Sequence, residues 1–599
     1  MAACFLVLTA CSEGAVPSDE GADLVLDVAS DADVNISDDV PVDAVADVRQ
    51  DVDDLLADSV DVASDVVDDV VGVDVADASD AFVRPPFDYR EPWLPPAGPW
   101  SDCAADTGTT KTMAAKAAYY DWIGPKLHQE PKAGAHENVA RMYDIQCDGP
   151  IPTEIVSDDQ LPVCSLNSNE NNGLWTSLYL VSQCFRYGAT QDPEALANVK
   201  RTLSGTYELM KITGVPGLYA REASDPAIAP MQTCPEDPME YAPPNELTRG
   251  NNWVKVDTDG CFIDYDPVKL EWVKHPDSCT DVMYAGRCWK RNVSKDEYSG
   301  HAYAAGVCAK VVDDSDVRVM ATEILSKLAH HIINNKYWLT DWDGRPTRFG
   351  SMYAMSLDHF PGFNAQNSLA WIKSAAMVSG EDVLLDEYYD CLLQKSGQKK
   401  CIEPELEVGT DYTTYINNLG LLMGCDTNFD NVSMMMLAYL NWIWYEPSEL
   451  ERQRYRELFE GASRGPDSEG RDIWSMQIPF YNFMIAAVEG NGLMTEERRG
   501  LMENLVEDGV CILKSFPETQ IQRTRDNSAL EIWCMSERYP NLAAEVLPIQ
   551  DRCTSTFEWW QDVSQIEVCT GNPNNAVNPA GFLTPYWMGR YFGFISGDM

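Results

Sequence analysis

Asp296-Glu297-Tyr298-Ser299-Gly300-His301 places carboxylates and an imidazole at the start of a predicted helix. Glu297 and His301 are four residues apart, which sets them on one helix face. A carboxylate beside an imidazole suits proton transfer near neutral pH, the work of a general acid or base. Asp296 adds a second carboxylate to the same turn. These residues also have a structural reading, because acids in the first turn are favoured by the helix dipole and can cap the helix. Two ligands do not make a metal site and no third is marked, so no metal is expected. No dinucleotide fingerprint or phosphate loop stands out, and no cofactor is expected.

Other segments offer groups that could meet a sugar. The loop Asn169-Glu170-Asn171-Asn172-Gly173 precedes a predicted helix and supplies one carboxylate and three amides. Glu170 is a candidate general acid and Asn172 a candidate partner for sugar hydroxyls; an Asn/Gly turn with a cap is the structural alternative. Trp175 and Tyr179 follow on one helix face, placed either to stack on a sugar ring or to fill the core. In Asp341-Trp342-Asp343-Gly344-Arg345-Pro346, Arg345, or Arg348 just beyond, could pair with a uronate carboxylate or with a neighbouring acid. Asp358-His359 lies in a further loop as a second acid/base candidate, with His359 also a possible substrate contact. Glycoside hydrolysis usually needs two carboxylates about 5–10 Å apart. The pool is Glu170, Asp296, Glu297, Asp358, Asp426 and Asp430. A lyase would instead use a base such as Tyr298 or His301 with Arg348 neutralising the uronate.

The elements that must position these groups are mostly helices. Amphipathic stretches are predicted over Leu174–Ala189, Pro193–Ile212, His301–Val312, Val317–Asn334, Gln366–Val378, Asp382–Leu393, Asn431–Trp444, Pro447–Ala462, Trp474–Val488 and Thr495–Leu513. Asp192 reads as the N-cap of the second, with Pro193 at its first position. Pro479 is expected to delay or kink the helix that contains it. Consecutive helices of about 12 to 20 residues suit stacked helical hairpins. No fixed repeat period argues for an open solenoid. One region departs from this pattern. Trp253-Val254-Lys255-Val256, Asp259-Gly260 and Cys261-Phe262-Ile263 read as a β-hairpin with an Asp-Gly turn. The acids Asp257, Asp259, Asp264 and Asp266 do not match a calcium loop.

Ahead of the helices the chain changes character. Phe5-Leu6-Val7-Leu8-Thr9-Ala10-Cys11 reads as a lipobox, with residues 1–11 a lipoprotein signal region and Cys11 the lipidated residue. Residues 12–83 are Asp-, Val- and Ala-rich, with about 22 acids and one basic residue, Arg49, before Ala81. Such a segment cannot bury enough apolar surface to offset its ordering entropy and is expected to be a disordered, self-repelling tether. Residues 84–110 form a proline-rich leader, and 111–599 the helical domain. The formal charge is −51 over 599 residues, from 95 acidic and 44 basic side chains. A chain this acidic is a poor partner for nucleic acid. Of 18 cysteines, 16 remain beyond Cys4 and Cys11, an even number that suggests disulfides outside the cytoplasm. Close pairs such as Cys279/Cys288, Cys391/Cys401 and Cys553/Cys569 are candidates to clip loops.

Several segments resemble bacterial secreted proteins of the six-hairpin glycosidase-like group. They are Asn171-Asn172-Gly173-Leu174-Trp175-Thr176, Gly214-Val215-Pro216-Gly217-Leu218-Tyr219-Ala220-Arg221, Ser294-Lys295-Asp296-Glu297-Tyr298-Ser299-Gly300-His301, the run Asp341–Gly350, and Pro585-Tyr586-Trp587-Met588-Gly589-Arg590-Tyr591. The resemblance implies an all-α (α/α)6 toroid, here with a small β-hairpin insertion, and a hydrolase, lyase or epimerase activity. The chain departs from that pattern at Asn292-Val293-Ser294-Lys295, where an Asp-Thr-Ser-Ser-like run is expected. The expectation is therefore an outer-membrane lipoprotein, facing the periplasm or the cell surface. Its toroid would process polysaccharide or oligosaccharide as a glycoside hydrolase-like or uronate lyase-like enzyme. The alternative is a non-catalytic glycan- or protein-binding lipoprotein.

Overall fold

The computed structural model separates into two units, residues 1–83 and 84–599. It describes residues 110–597, apart from 131–140, 143, 168–170, 225–233, 244–251, 355–359, 396–400, 403–410, 418–426, 464–472, 490–494, 522–523, 536–540 and 555–561. The lipobox, the tether and most of the leader lie outside these residues.

Twelve α-helices are present among the described residues. The first six are α1 (Met113–Ile123), α2 (Asn172–Thr190), α3 (Pro193–Lys211), α4 (Lys295–Val311), α5 (Ser315–Asn334) and α6 (Pro361–Ser379). After them come α7 (Asp382–Asp386), α8 (Phe429–Trp444), α9 (Glu449–Ser463), α10 (Pro479–Ala487), α11 (Glu496–Ser515) and α12 (Ala580–Tyr591). Local chemistry sets many of the starts. Asp192 accepts the Glu194 N–H and Pro193 opens α3. Thr112, Asp314, Asn428 and Thr495 cap α1, α5, α8 and α11 in the same way. Gly380, at φ +74°, ends α6 in the left-handed region that a residue without Cβ adopts most readily.

The helices divide by parity. The even-numbered ones are buried nearly all round, as α4, α6, α8, α10 and α12 show most fully. The longer odd-numbered ones bury one stripe and expose the other. The buried set contacts itself in a closed cycle: α2 with α4, α4 with α6, α6 with α8, α8 with α10, α10 with α12, and α12 with α2. The others pack outside it, each beside an adjacent even helix.

The inner helices run the same way. Near their starts, Lys295 of α4 donates to Asn364 of α6, and Ser433 of α8 bonds Tyr481 of α10. Near their ends, Phe185 of α2 meets Trp444 of α8, Tyr591 of α12 and Phe592 just beyond it. Tyr445, which follows α8, donates to the Gly306 carbonyl of α4 at 2.6 Å. The C-terminal end of the cycle is therefore filled with aromatic side chains.

Several expectations need correction. The body is mostly helical rather than all-α, with small antiparallel sheets. The predicted hairpin is part of a five-stranded sheet inserted between α3 and α4. Its strands are β1 (Glu222–Ser224), β2 (Trp253–Val256), β3 (Cys261–Asp266), β4 (Glu271–Cys279) and β5 (Cys288–Lys290), in the order β1-β5-β2-β3-β4. Its Asp-Gly turn is formed with Gly260 at φ +85°, and Asp257 accepts the N–H groups of Asp259 and Cys261. The acids of this region serve turns and ion pairs, Asp257 and Asp259 with Lys274, Asp264 with His275 and Asp266 with Lys269. Helix α4 starts at Lys295, six residues before the apolar pattern begins. The segment from Trp474 is a short 3-10 turn, and α10 starts only at Pro479, whose missing N–H costs nothing at a first helical position. The Cys279/Cys288 pairing is also replaced: Cys279 bonds Cys261 across β3 and β4, and Cys288 bonds Cys234. Cys391–Cys401 and Cys553–Cys569 form as expected, joined by Cys147–Cys164 and by Cys184–Cys308, which ties α2 to α4. No helix among the described residues is long and apolar enough to cross a membrane. Disulfides in this number belong to a chain that folds in an oxidising compartment.

Candidate functional site

The start of α4 gathers the residues singled out from sequence, but it does not treat them alike. Glu297 and His301 are fully buried where α4 crosses α2. Their Oε2 and Nε2 atoms lie 3.8 Å apart. Tyr219 stacks on the imidazole at 4.7 Å between ring centres. The other ring nitrogen, Nδ1, lies 3.4 Å from Ser177 Oγ. That hydroxyl already donates to the Gly173 carbonyl, so towards His301 it can only accept, which places a proton on Nδ1. Nε2 and the Glu297 carboxyl then face each other in a region closed to solvent. Two glycines permit the approach. A Cβ on Gly173 would fall 1.7 Å from Glu297 Oε2, and one on Gly300 would fall 2.8 Å from the Leu174 Cα.

Asp296, one residue earlier, is only half-buried. Loss of water pushes its carboxyl above the usual carboxylate range. Arg221, Lys295 and hydrogen bonds from Ser294 and Asn171 pull the other way without overcoming it. The Arg221 guanidinium is buried, donating from Nε to the Asn292 carbonyl at 2.7 Å and reaching Asn171 Oδ1 at 3.4 Å. Lys295 Nζ donates to Asn364 Oδ1 at 3.0 Å and stands 5.2 Å from the Phe363 ring centre. The starts of α2, α4 and α6 thus bring amides, two cations and one partly solvated carboxyl to one place. Helix N-termini add positive potential there.

Asn292 is a joint in this region. It adopts φ +60°, a left-handed conformation that Asn tolerates better than most residues. Its N–H donates to Asp341 Oδ2 at 3.0 Å, and its side-chain oxygen accepts the Arg348 N–H at 2.9 Å. The departure from the expected Asp therefore falls on a residue that holds two loops together.

The remaining candidates are dispersed. Trp175 and Tyr179 are buried in the core. Tyr298 is buried and donates to the Gly217 carbonyl at 2.5 Å. Arg345 is exposed, with Asp343 3.8 Å away. Arg348 lies over the neighbouring Phe349 ring. Asp341 and Asp343 both engage the buried Arg291. Asp430 is half-buried in the first turn of α8. Glu170, Asp358, His359 and Asp426 lie outside the described residues, as does the side chain of Asn172. Sequence reasoning passed over Arg221 and Lys295 as site residues. Both sit within segments that carried the family resemblance, which was the available signal.

No protein-family model matches the chain, and no curated protein matches its sequence. Solved structures similar to it include two of the endoglucanase CelQ from Clostridium thermocellum, one complexed with cellotriose and one with cellotetraose. Identity is 11% and 10%, over 80% of this chain and 70% of the enzyme chain, with a TM-score of 0.35 for each. A likeness this loose adds nothing to what the chain's own helices and side chains carry.

Proposed function

We propose that the body is an (α/α)6 toroid of an extracytoplasmic lipoprotein, anchored through Cys11, that processes carbohydrate at the N-terminal mouth of its inner helices. The observation that carries this reading is Asp296. It is a partly solvated carboxyl at the mouth, held towards its protonated form by burial although two cations lie near it. A carboxyl that burial pushes towards its protonated form is a candidate proton donor to a glycosidic oxygen. Asn171 and Lys295 are the neighbours that would orient sugar hydroxyls or a uronate, with the buried Asn364 holding Lys295 in place. Glu297 and His301 are positioning residues in this scheme. They fix the register of α4 against α2, and so the place of Asp296. The second carboxylate comes from the pool of Glu170, Asp358, Asp426 and Asp430.

A non-catalytic glycan-binding lipoprotein is the second reading, favoured by the complete burial of Glu297 and His301. A screen of neutral and uronic-acid polysaccharides decides between the two. Asp296→Asn is expected to abolish product release, by roughly a hundredfold or more, with melting temperature unchanged. Glu297→Gln and His301→Ala are expected to lower the melting temperature as well as activity. Turnover that survives Asp296→Asn removes the catalytic assignment. Binding without turnover in the parent protein leaves the binder.

A further inference from the structure

The five-stranded sheet has two unlike faces. Val254, Val256, Phe262 and Trp289 belong to the main core. By strand alternation and register, the opposite face carries Trp253, Lys255, Tyr265, Trp272 and Lys274. Lys255 and Lys274 lie in one row of this face, both aligned with Ile263. Lys274 is paired with Asp257 and Asp259, each 2.6 Å away. Lys255 has no such partner. Its Nζ stands 4.5 Å from the ring centre of Tyr241 and 4.3 Å from that of Trp272. Among the described residues no carboxylate lies within ion-pair distance of it and no acceptor takes its protons. In a chain with 95 acidic and 44 basic side chains, this half-buried ammonium meets, among the described residues, aromatic faces.

Trp272 is 40% exposed. Tyr241 and Tyr265 brace it edge-on, with ring centres 5.1 and 5.5 Å away. A rigid, partly exposed indole is a stacking surface for a sugar ring. The sheet also adjoins the mouth. Arg221 N–H donates to the Lys290 carbonyl and Arg291 N–H to that of Asn252. The Lys255 row is two residues further along the strands, about 7 Å. Glu240 and Glu271, the acids next in the chain to this group, are exposed, where salt screens them more strongly than a half-buried ammonium.

We propose that this face binds an anionic sugar unit, its ring stacked on Trp272 and its carboxylate or sulfate taking the protons of Lys255. The site is separate from Asp296 and its readout is binding, so it stands or falls independently of turnover at the mouth. The test titrates the full chain with a galacturonate tetramer, a sulfated chondroitin tetrasaccharide and neutral cellotetraose, by calorimetry and tryptophan fluorescence. One or both anionic sugars should bind more tightly than cellotetraose, and more weakly as salt rises; which one does so identifies the anionic group. Lys255→Met should remove that preference, a loss of roughly tenfold or more for one charge-assisted hydrogen bond, and leave cellotetraose unaffected. Trp272→Ala should weaken the anionic sugar further, and Trp272→Phe should restore part of it if the alanine variant does not fold. Equal affinity for all three sugars, or an anionic preference that survives Lys255→Met in a folded protein, overturns the proposal.

Discussion

At the scale of single residues, burial decides what a titratable group can do. Asp121 of α1 is buried with Gln183 on one oxygen and Trp587 on the other, and desolvation raises its carboxyl to about 6 despite Arg186 nearby. His331 of α5 is buried, accepts the Thr340 N–H, and is lowered to about 4 by the same loss of water. Their effects on stability oppose each other. Asp121 holds its proton more tightly folded than unfolded, so its contribution is present below the unfolded value and lost as pH rises to about 6. His331 gives up its proton on folding, so its contribution is present above the unfolded value and lost as pH falls towards 4. Each amounts to about 3 kcal/mol. In Asp121→Asn the His331 effect stands alone, and the urea midpoint should rise more steeply with pH between about 4 and 6 than in the parent. An unchanged slope would mean that Asp121 is not protonated in the folded state. Neither burial was legible in the sequence. The spacing of Glu297 and His301 correctly put them on one face, but spacing does not tell whether that face meets solvent or another helix.

At the scale of elements, what could be read depended on how each helix is used. The outer helices announce themselves through one apolar stripe and a cap, as Asp192-Pro193 does for α3. The inner helices are buried on nearly every side and carry buried polar residues as well as apolar ones, so a single apolar stripe is hard to read and their polar first turns blur their starts, as in α4. Helix α12 escaped because Pro585 sits inside it. Strands β1 and β5 are three residues each, too short for alternation to register, which is why a hairpin was read where a sheet exists. The contact between α2 and α4 depends on absent side chains. Gly300→Ala would set a Cβ 2.8 Å from backbone at Leu174. It should cost about 1–3 kcal/mol by overpacking, read as a lower denaturant midpoint. Gly461→Ala, where a Cβ meets nothing within 4 Å, is the matched control and should not destabilise. Equal loss in both would show that the helix crossing is not what constrains Gly300.

At the scale of the whole body, Cys184–Cys308 joins two neighbouring inner helices across 124 residues of sequence. A loop of that length implies about 5 kcal/mol of stabilisation if chain entropy dominates. Replacing both cysteines with alanine should lower the melting temperature more than removing Cys391–Cys401, which spans 10 residues. The reverse order would point to an enthalpic origin. The mostly helical layout was legible as consecutive predicted helices, and a closed arrangement was expected from it, but the element that completes the cycle of contacts, α12 returning to α2 across some 400 residues, was not read as a helix. The same closure has a consequence for traffic. Among the described residues, Phe185, Trp444, Tyr591 and Phe592 stopper the C-terminal end of the inner helices. A polymer is not expected to thread through that end. If the N-terminal end is the way in, as proposed, a long chain would present only its tip or lie across the rim.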